Sequence, residues 1–209
     1  MATQGNATPG AASAPGPRDL MIASAAELLA RAGTPGASMG AVLAHSGAPR
    51  GSIYHHFPGG KAQLLTEALA SVAARSEAMG GSLRGSPAEV VGGFLGLWER
   101  LLTATDYSVG CAALGAVVTD SEDEVVQAGE RALGAWESLL QAAFADGGVE
   151  REAASDLATT VLSAAEGAVA LARARRSLEP LRAAGRMLGP LAAGLGPRAQ
   201  EPGAEEVAG

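Results

Sequence analysis

Apolar residues return every third or fourth position through most of this 209-residue chain, and capping residues, glycines and prolines cut that rhythm into helix-length pieces. Met21, Ala25, Leu28, Leu29 and Ala32 share one helical face, and Gly33 supplies a stop. Ser38 can cap a second, short helix that carries Val42 and Leu43. Ser46, Gly47 and Ala48 read as a tight turn. Pro49 is placed to open a third short helix through Tyr54 towards Phe57, which Pro58-Gly59-Gly60 ends. Longer helices are expected over 61–79, from Ser86, from Ser121, over 150–176 and over 180–195. Ser86-Pro87-Ala88-Glu89 and Ser121-Glu122-Asp123-Glu124 both have the form of a capping box. Between them, Ser108 to Val118 is small and apolar. The sum is an all-α chain of about nine helices with no convincing strand.

Composition fixes how such helices can pack. Hydrophobic residues reach 47%, enough for a sizeable core, yet aromatics are only 3%. Ala, Leu and Val must therefore fill the interior, which suits helix-on-helix packing. One cysteine, Cys111, excludes an intramolecular disulfide and points to a reducing, cytoplasmic setting. No apolar run approaches the roughly 20 residues that span a bilayer, and Met1 to Pro17 lacks the regions of a secretion signal. Residues 1–16 and 198–209 read as disordered tails rich in small residues and proline. Net charge is −7, but its distribution is uneven: residues 1–61 carry +2 and the remainder −9. A mildly basic head on an acidic body fits a protein that presents one end to phosphates.

The most informative stretch is SMGAVLAHSGAPRGSIYHHFPGGK, residues 38–61. Two short helices around a glycine-bearing turn can place the second helix in a DNA major groove. The chemistry there fits. Arg50 can reach a base edge or a phosphate, and Gly51 lets the backbone approach closely. Ser38, Pro49, Ser52, Tyr54, His55 and His56 belong to the same candidate surface, with hydroxyl and imidazole donors suited to phosphate oxygens. Lys61 opens the next helix, where a cation and free N–H groups can meet a phosphate. Ile53 and Phe57, four apart, are placed to anchor the helix inward.

From Arg18 through Leu65 the sequence resembles the TetR family of bacterial one-component repressors, with Gly47, Gly51, Tyr54, Phe57 and Lys61 where that family's head has them. SGAPRGSIYHHFPGGK is similar to the subgroup of lincomycin-resistance and flavonoid-responsive repressors. The segment from Gly110 to Val117 resembles that subgroup's body motif, with Ala112 in place of its usual proline. The resemblance implies a DNA-binding head over 17–63 and a ligand-binding and dimerisation body over 64–197. It implies a homodimer reading a palindromic operator through successive major grooves. It also implies a small-molecule effector that tilts the heads out of register. The last two helices would form the dimer interface, with Leu157, Val161, Leu162, Ala165, Val169, Leu188 and Leu191 as candidate contacts.

Within the body, Phe94, Trp98, Leu101, Tyr107, Cys111, Leu114, Trp136 and Leu140 are candidate ligand contacts, although core packing is the default role of each. Few charges fall inside the apolar faces, so a neutral or weakly polar effector is expected. Three histidines and one cysteine lack metal-ligand spacing, and no metal or cofactor is expected. The acids at 120–124 are explained by a helix start, and the arginines at 173, 175 and 176 by a helix end. No Ser-His-Asp arrangement, phosphate-binding glycine loop or HExxH helix points to an enzyme. The competing reading is a helical small-molecule-binding or interaction protein that does not bind DNA.

Overall fold

A computed structural model describes residues 15–49, 51–120 and 122–197. Among them it has nine helices and no strand: α1 (Pro17–Gly36), α2 (Met39–Ser46), α3 (Ile53–His56), α4 (Gly60–Gly80), α5 (Pro87–Ala104), α6 (Ala112–Thr119), α7 (Asp123–Asp146), α8 (Arg151–Arg175) and α9 (Glu179–Leu195). Local signals explain several boundaries. Ser86 Oγ accepts from the Glu89 N–H while the Glu89 carboxylate accepts from the Ser86 N–H at 2.7 Å, so the capping box that starts α5 is formed. Gly33 takes φ +64°, which breaks α1 near its end instead of terminating it, and residues 34–36 follow as a separate turn.

Two expectations about helix starts change. Ser121 lies outside the described residues, and α7 has Glu122 as its N-cap, its N–H bonded to Asp120 Oδ1 at 2.9 Å. Pro49 does not open α3. Its carbonyl accepts from the Ser52 N–H at 3.0 Å and the Ser52 hydroxyl at 2.7 Å, so Pro49 heads a turn and the α3 helix begins only at Ile53.

The interior forms two clusters. One lies between α5, α7, α8 and α9, around Phe94, Trp136, Leu140, Phe144 and Leu181. The other begins in the head, around Met21, Leu29, Ile53, Phe57, Leu64 and Leu65, and continues into Ala113 and Ala116 of α6 and Val125 and Ala128 of α7. The head's interior thus runs on into the first helices behind it. At the seam, α1 and α6 approach closely because Gly33 and Gly115 face each other: a Cβ on Gly115 would lie 2.9 Å from the Leu29 carbonyl oxygen. Thr34 and Thr119 close the same contact, the Thr34 N–H donating to Thr119 Oγ1 at 2.9 Å and the Thr34 hydroxyl to the Thr119 carbonyl at 3.0 Å.

α8 contains an 18-residue window of mean hydropathy 1.2, apolar enough by length and composition to cross a bilayer. Half of that window is buried inside the protein, so its apolar character is accounted for in part by packing against α5, α7 and α9. This burial corrects the expected dimer contacts. Leu157, Val161, Leu162, Ala165 and Val169 of α8, and Leu188 of α9, are buried in the chain's own core against α5 and α7. Of the candidate dimer residues only Leu191 is exposed. Periodicity identifies an apolar face but not the helix it meets, and here the neighbours belong to the same chain.

Candidate nucleic-acid interface and internal cavity

The head is assembled around α3. Ile53 and Phe57 are fully buried, and the Arg18 guanidinium sits 5.3 Å from the centre of the Phe57 ring while pairing with Glu67. Gly47 adopts φ +68°, the left-handed conformation that turns the chain between α2 and α3. With Ile53 and Phe57 holding one side of α3 inward, its other side must face solvent. Tyr54 is 68% exposed, which is unusual for so large a side chain without a partner surface. His55 is exposed too, and His56 is half-buried, edge-on to Phe57.

The other candidate contacts divide. Gly51 is exposed, and a Cβ there would meet nothing within 4 Å. Lys61 is half-buried in the first turn of α4. Pro49 is exposed, while the Ser52 hydroxyl is spent on the Pro49 carbonyl. Ser38 Oγ is the cap of α2, accepting from the Ala41 N–H at 3.2 Å. Arg50 lies outside the described residues.

Behind the head is a cavity of about 690 Å³, bounded by α1, α4, α5, α7 and the segment entering α6. Five of the candidate ligand contacts line it: Phe94, Trp98, Leu101, Cys111 and Trp136. Phe94 and Trp136 pack with ring centres 5.2 Å apart. Three candidates are elsewhere. Leu140 is fully buried in the body core, Tyr107 lies beneath the Arg176 guanidinium at 5.7 Å, and Leu114 is on α6 away from the lining. Walls from α1 and α4 add to those expected from the sequence. Ala23, Ala26 and Ala30 at helical spacing, and Val72, Ser76 and Met79 likewise, were a visible signal. The head's own first helix therefore forms part of the cavity wall.

The wall is tied to the head by hydrogen bonds. The Gly110 N–H donates to the Ala30 carbonyl at 2.8 Å, and Arg31 Nη1 to Ser108 Oγ at 2.6 Å. From α8, Arg173 Nη2 donates to the Arg31 and Ser108 carbonyls at 2.8 and 3.1 Å. Gly110 leaves room for this arginine, since a Cβ there would stand 2.7 Å from Arg173 Nη1.

Cys111 caps α6, its sulfur accepting from the Leu114 N–H at 3.4 Å. Burial first, and then the nearby Glu166 carboxylate, push its thiol pKa up, which disfavours the thiolate. Glu166 on α8 is itself 8% exposed, and neither carboxylate oxygen has a well-formed hydrogen bond; the Cys111 thiol is the polar group beside it. Burial raises its pKa above the usual carboxylate range. Both states hold the proton below that range, where the stability is fully present. As pH rises the unfolded chain ionises first, and stability is lost until the folded pKa is passed. Glu166→Gln is expected to flatten this loss in thermal melts recorded as pH is raised through and above the ordinary carboxylate range. A variant less stable at every pH would mean that the carboxylate has a partner it needs.

Comparison with known proteins agrees with this anatomy. Residues 21–68 match the family model of bacterial regulatory proteins of the TetR family. Residues 87–187 match the C-terminal domain of LmrA/YxaF-like transcriptional regulators. An uncharacterized HTH-type transcriptional regulator of Mycobacterium tuberculosis is 36% identical over 173 residues, covering 79% of this chain and 89% of its own. The HTH-type transcriptional regulator LmrA of Bacillus subtilis is 27% identical over 174 residues, covering 78% and 90%. In fold, the chain resembles the regulatory protein TetR from Rhodobacter sphaeroides, with TM-score 0.73 and 20% identity over 82% of this chain and 96% of that one. It also resembles a TetR transcriptional regulator from Legionella pneumophila, with TM-score 0.75 and 16% identity over 87% and 100%. With a helix-turn-helix head at one end and an LmrA/YxaF-like helical body at the other, the chain belongs to the TetR family of transcriptional regulators.

Proposed function

We propose that this regulator is a cytoplasmic, homodimeric repressor that binds a palindromic operator and is released by a small molecule held in the cavity behind the head. The observation that carries this reading is α3: its inner side is locked by Ile53 and Phe57, and its outer side offers Tyr54 and His55 to solvent beside Gly51. Residues 17–63 act as the head and 64–197 as the sensing and pairing body. Two heads about one DNA turn apart, roughly 34–36 Å, would occupy successive major grooves. A dimer over a promoter blocks polymerase by exclusion, which favours repression over activation.

Support for pairing comes from the outer faces of α8 and α9. Met187, Leu191 and Leu195 recur four apart along α9 and are exposed, as is Leu171 on α8. An exposed apolar stripe of this kind is the usual mark of a partner surface. Release by an effector follows from the shared wall. Ala30 and Gly110 both line the cavity and are hydrogen-bonded to each other, so a ligand that displaces the α5–α6 segment must also move α1.

The test is a palindrome selected from random duplexes, titrated with salt. Binding should weaken steeply as salt rises. Tyr54→Ala should weaken binding about tenfold without unfolding the chain. Lys61→Ala should lower the salt slope by about one. A folded Tyr54→Ala with unchanged affinity would leave α3 without a role in DNA binding, and a folded Lys61→Ala with an unchanged slope would remove the start of α4 from the contact.

A further inference from the structure

The cavity carries charge that its apolar lining does not explain. Arg75 of α4 and Arg100 of α5 both line it. Neither makes an ion pair among the described residues. Arg75 makes only long bonds to Ser71 of its own helix, at 3.3 and 3.4 Å, and Arg100 makes no hydrogen bond there. The one acid on the wall, Glu27, is already compensated: Arg31 donates to it at 2.7 and 2.9 Å, and His45 lies 3.8 Å away. Two guanidinium groups without acidic partners among the described residues therefore line the same space as Phe94, Trp98 and Trp136.

We propose that the effector is an amphipathic organic anion, an aromatic body bearing a carboxylate or sulfonate, with its rings against Phe94, Trp98 and Trp136 and its charge held by Arg75 and Arg100. This rests on the reading of the cavity as the effector site and specifies its ligand class. The neutral ligand expected from the sequence is thereby replaced: Arg75 and Arg100 fall on the solvated sides of their helices in the periodic pattern, and only the fold brings them to one cavity. Residues 62–209 together carry −9 and repel anions at long range. Local guanidinium groups are what an anion would need to enter. Arginine suits the task because its planar donors match carboxylate and sulfonate oxygens and its face stacks on aromatic rings.

A matched pair of fluorescent probes tests this on the full-length protein. 1-Anilinonaphthalene-8-sulfonate is an aromatic anion, and N-phenyl-1-naphthylamine is the same body without the sulfonate. The chain's two tryptophans both line the cavity, so a probe bound there quenches tryptophan emission. The double variant Arg75→Gln/Arg100→Gln, altered only at exposed side chains, is expected to bind the sulfonate about tenfold more weakly and the amine within twofold of the unaltered protein. The sulfonate's affinity should also fall with added salt. Equal weakening of both probes, or no change in either, overturns the anionic assignment while leaving the cavity reading standing. Failure of both probes to quench tryptophan overturns the cavity reading and the anion with it. Arg75→Lys/Arg100→Lys should keep part of the sulfonate's preference, and a lysine pair indistinguishable from the glutamine pair counts against charge as the cause.

Discussion

Phe57→Ala is expected to destabilise the protein by about 3–5 kcal/mol. The ring is fully buried and is among the largest side chains that are. It stands where α1, α3 and α4 meet, with the Arg18 guanidinium 5.3 Å from its centre, and its N–H donates to the Ile53 carbonyl at 2.8 Å. Deleting it leaves a void lined by three elements, of which α3 is four residues long and cannot hold its shape alone. Urea unfolding followed by circular dichroism measures the loss. Because the same interior reaches α6 and α7, tryptophan fluorescence from Trp98 and Trp136 should report the same shifted midpoint. A loss under about 1 kcal/mol would show that the head does not depend on this ring. Phe57→Leu, which refills part of the volume, should recover much of the difference.

The second large effect belongs to Gly115→Val. A Cβ at this position would sit 2.9 Å from the Leu29 carbonyl oxygen and 3.5 Å from Gly33 Cα, and both are backbone atoms that cannot rotate aside. The helices α1 and α6 must separate, at a cost of at least the 1–3 kcal/mol typical of overpacking. Separation also strains the Thr34–Thr119 bonds and re-aims the head. The variant is therefore expected to lose both thermal stability and operator affinity, although no residue of the proposed DNA surface is changed. Gly51→Ala provides the contrast. It meets open space in the free protein, so it should leave the melting temperature unchanged and weaken only the complex with DNA. If Gly115→Val kept full affinity, the α1–α6 contact would not set the orientation of the head.

Much of the fold was legible because its signals are local. The Ser86–Glu89 capping box lies within four residues, and the inward spacing of Ile53 and Phe57 lies within five. Gly33 was readable as a break, and only its form, a kink followed by another turn, needed the contact with Thr119 to be understood. What escaped was information carried between elements. The apolar face of α8 is plain in the sequence, yet nothing in Leu157 or Val161 says that α5, α7 and α9 cover it in place of a second chain. Leu140 lies one turn beyond Trp136 on the same helix, and one turn is the distance between the cavity and the solid core. Arg75 and Arg100 are 25 positions apart and look like ordinary solvated side chains until the helices are packed.

The continuity of the head's interior with α6 and α7 bears on how such proteins can be rewired. Ala113, Ala116, Val125 and Ala128 finish what Met21, Leu29 and Leu69 begin. A chimera that grafts residues 15–63 onto a foreign sensor would expose an oily, unfinished flank and aggregate, whereas a transplant that carries α6 and the start of α7 along would keep that flank covered. Recombination among these regulators should accordingly be poorly tolerated at the end of the helix-turn-helix, where a crossover divides one continuous interior between two parents.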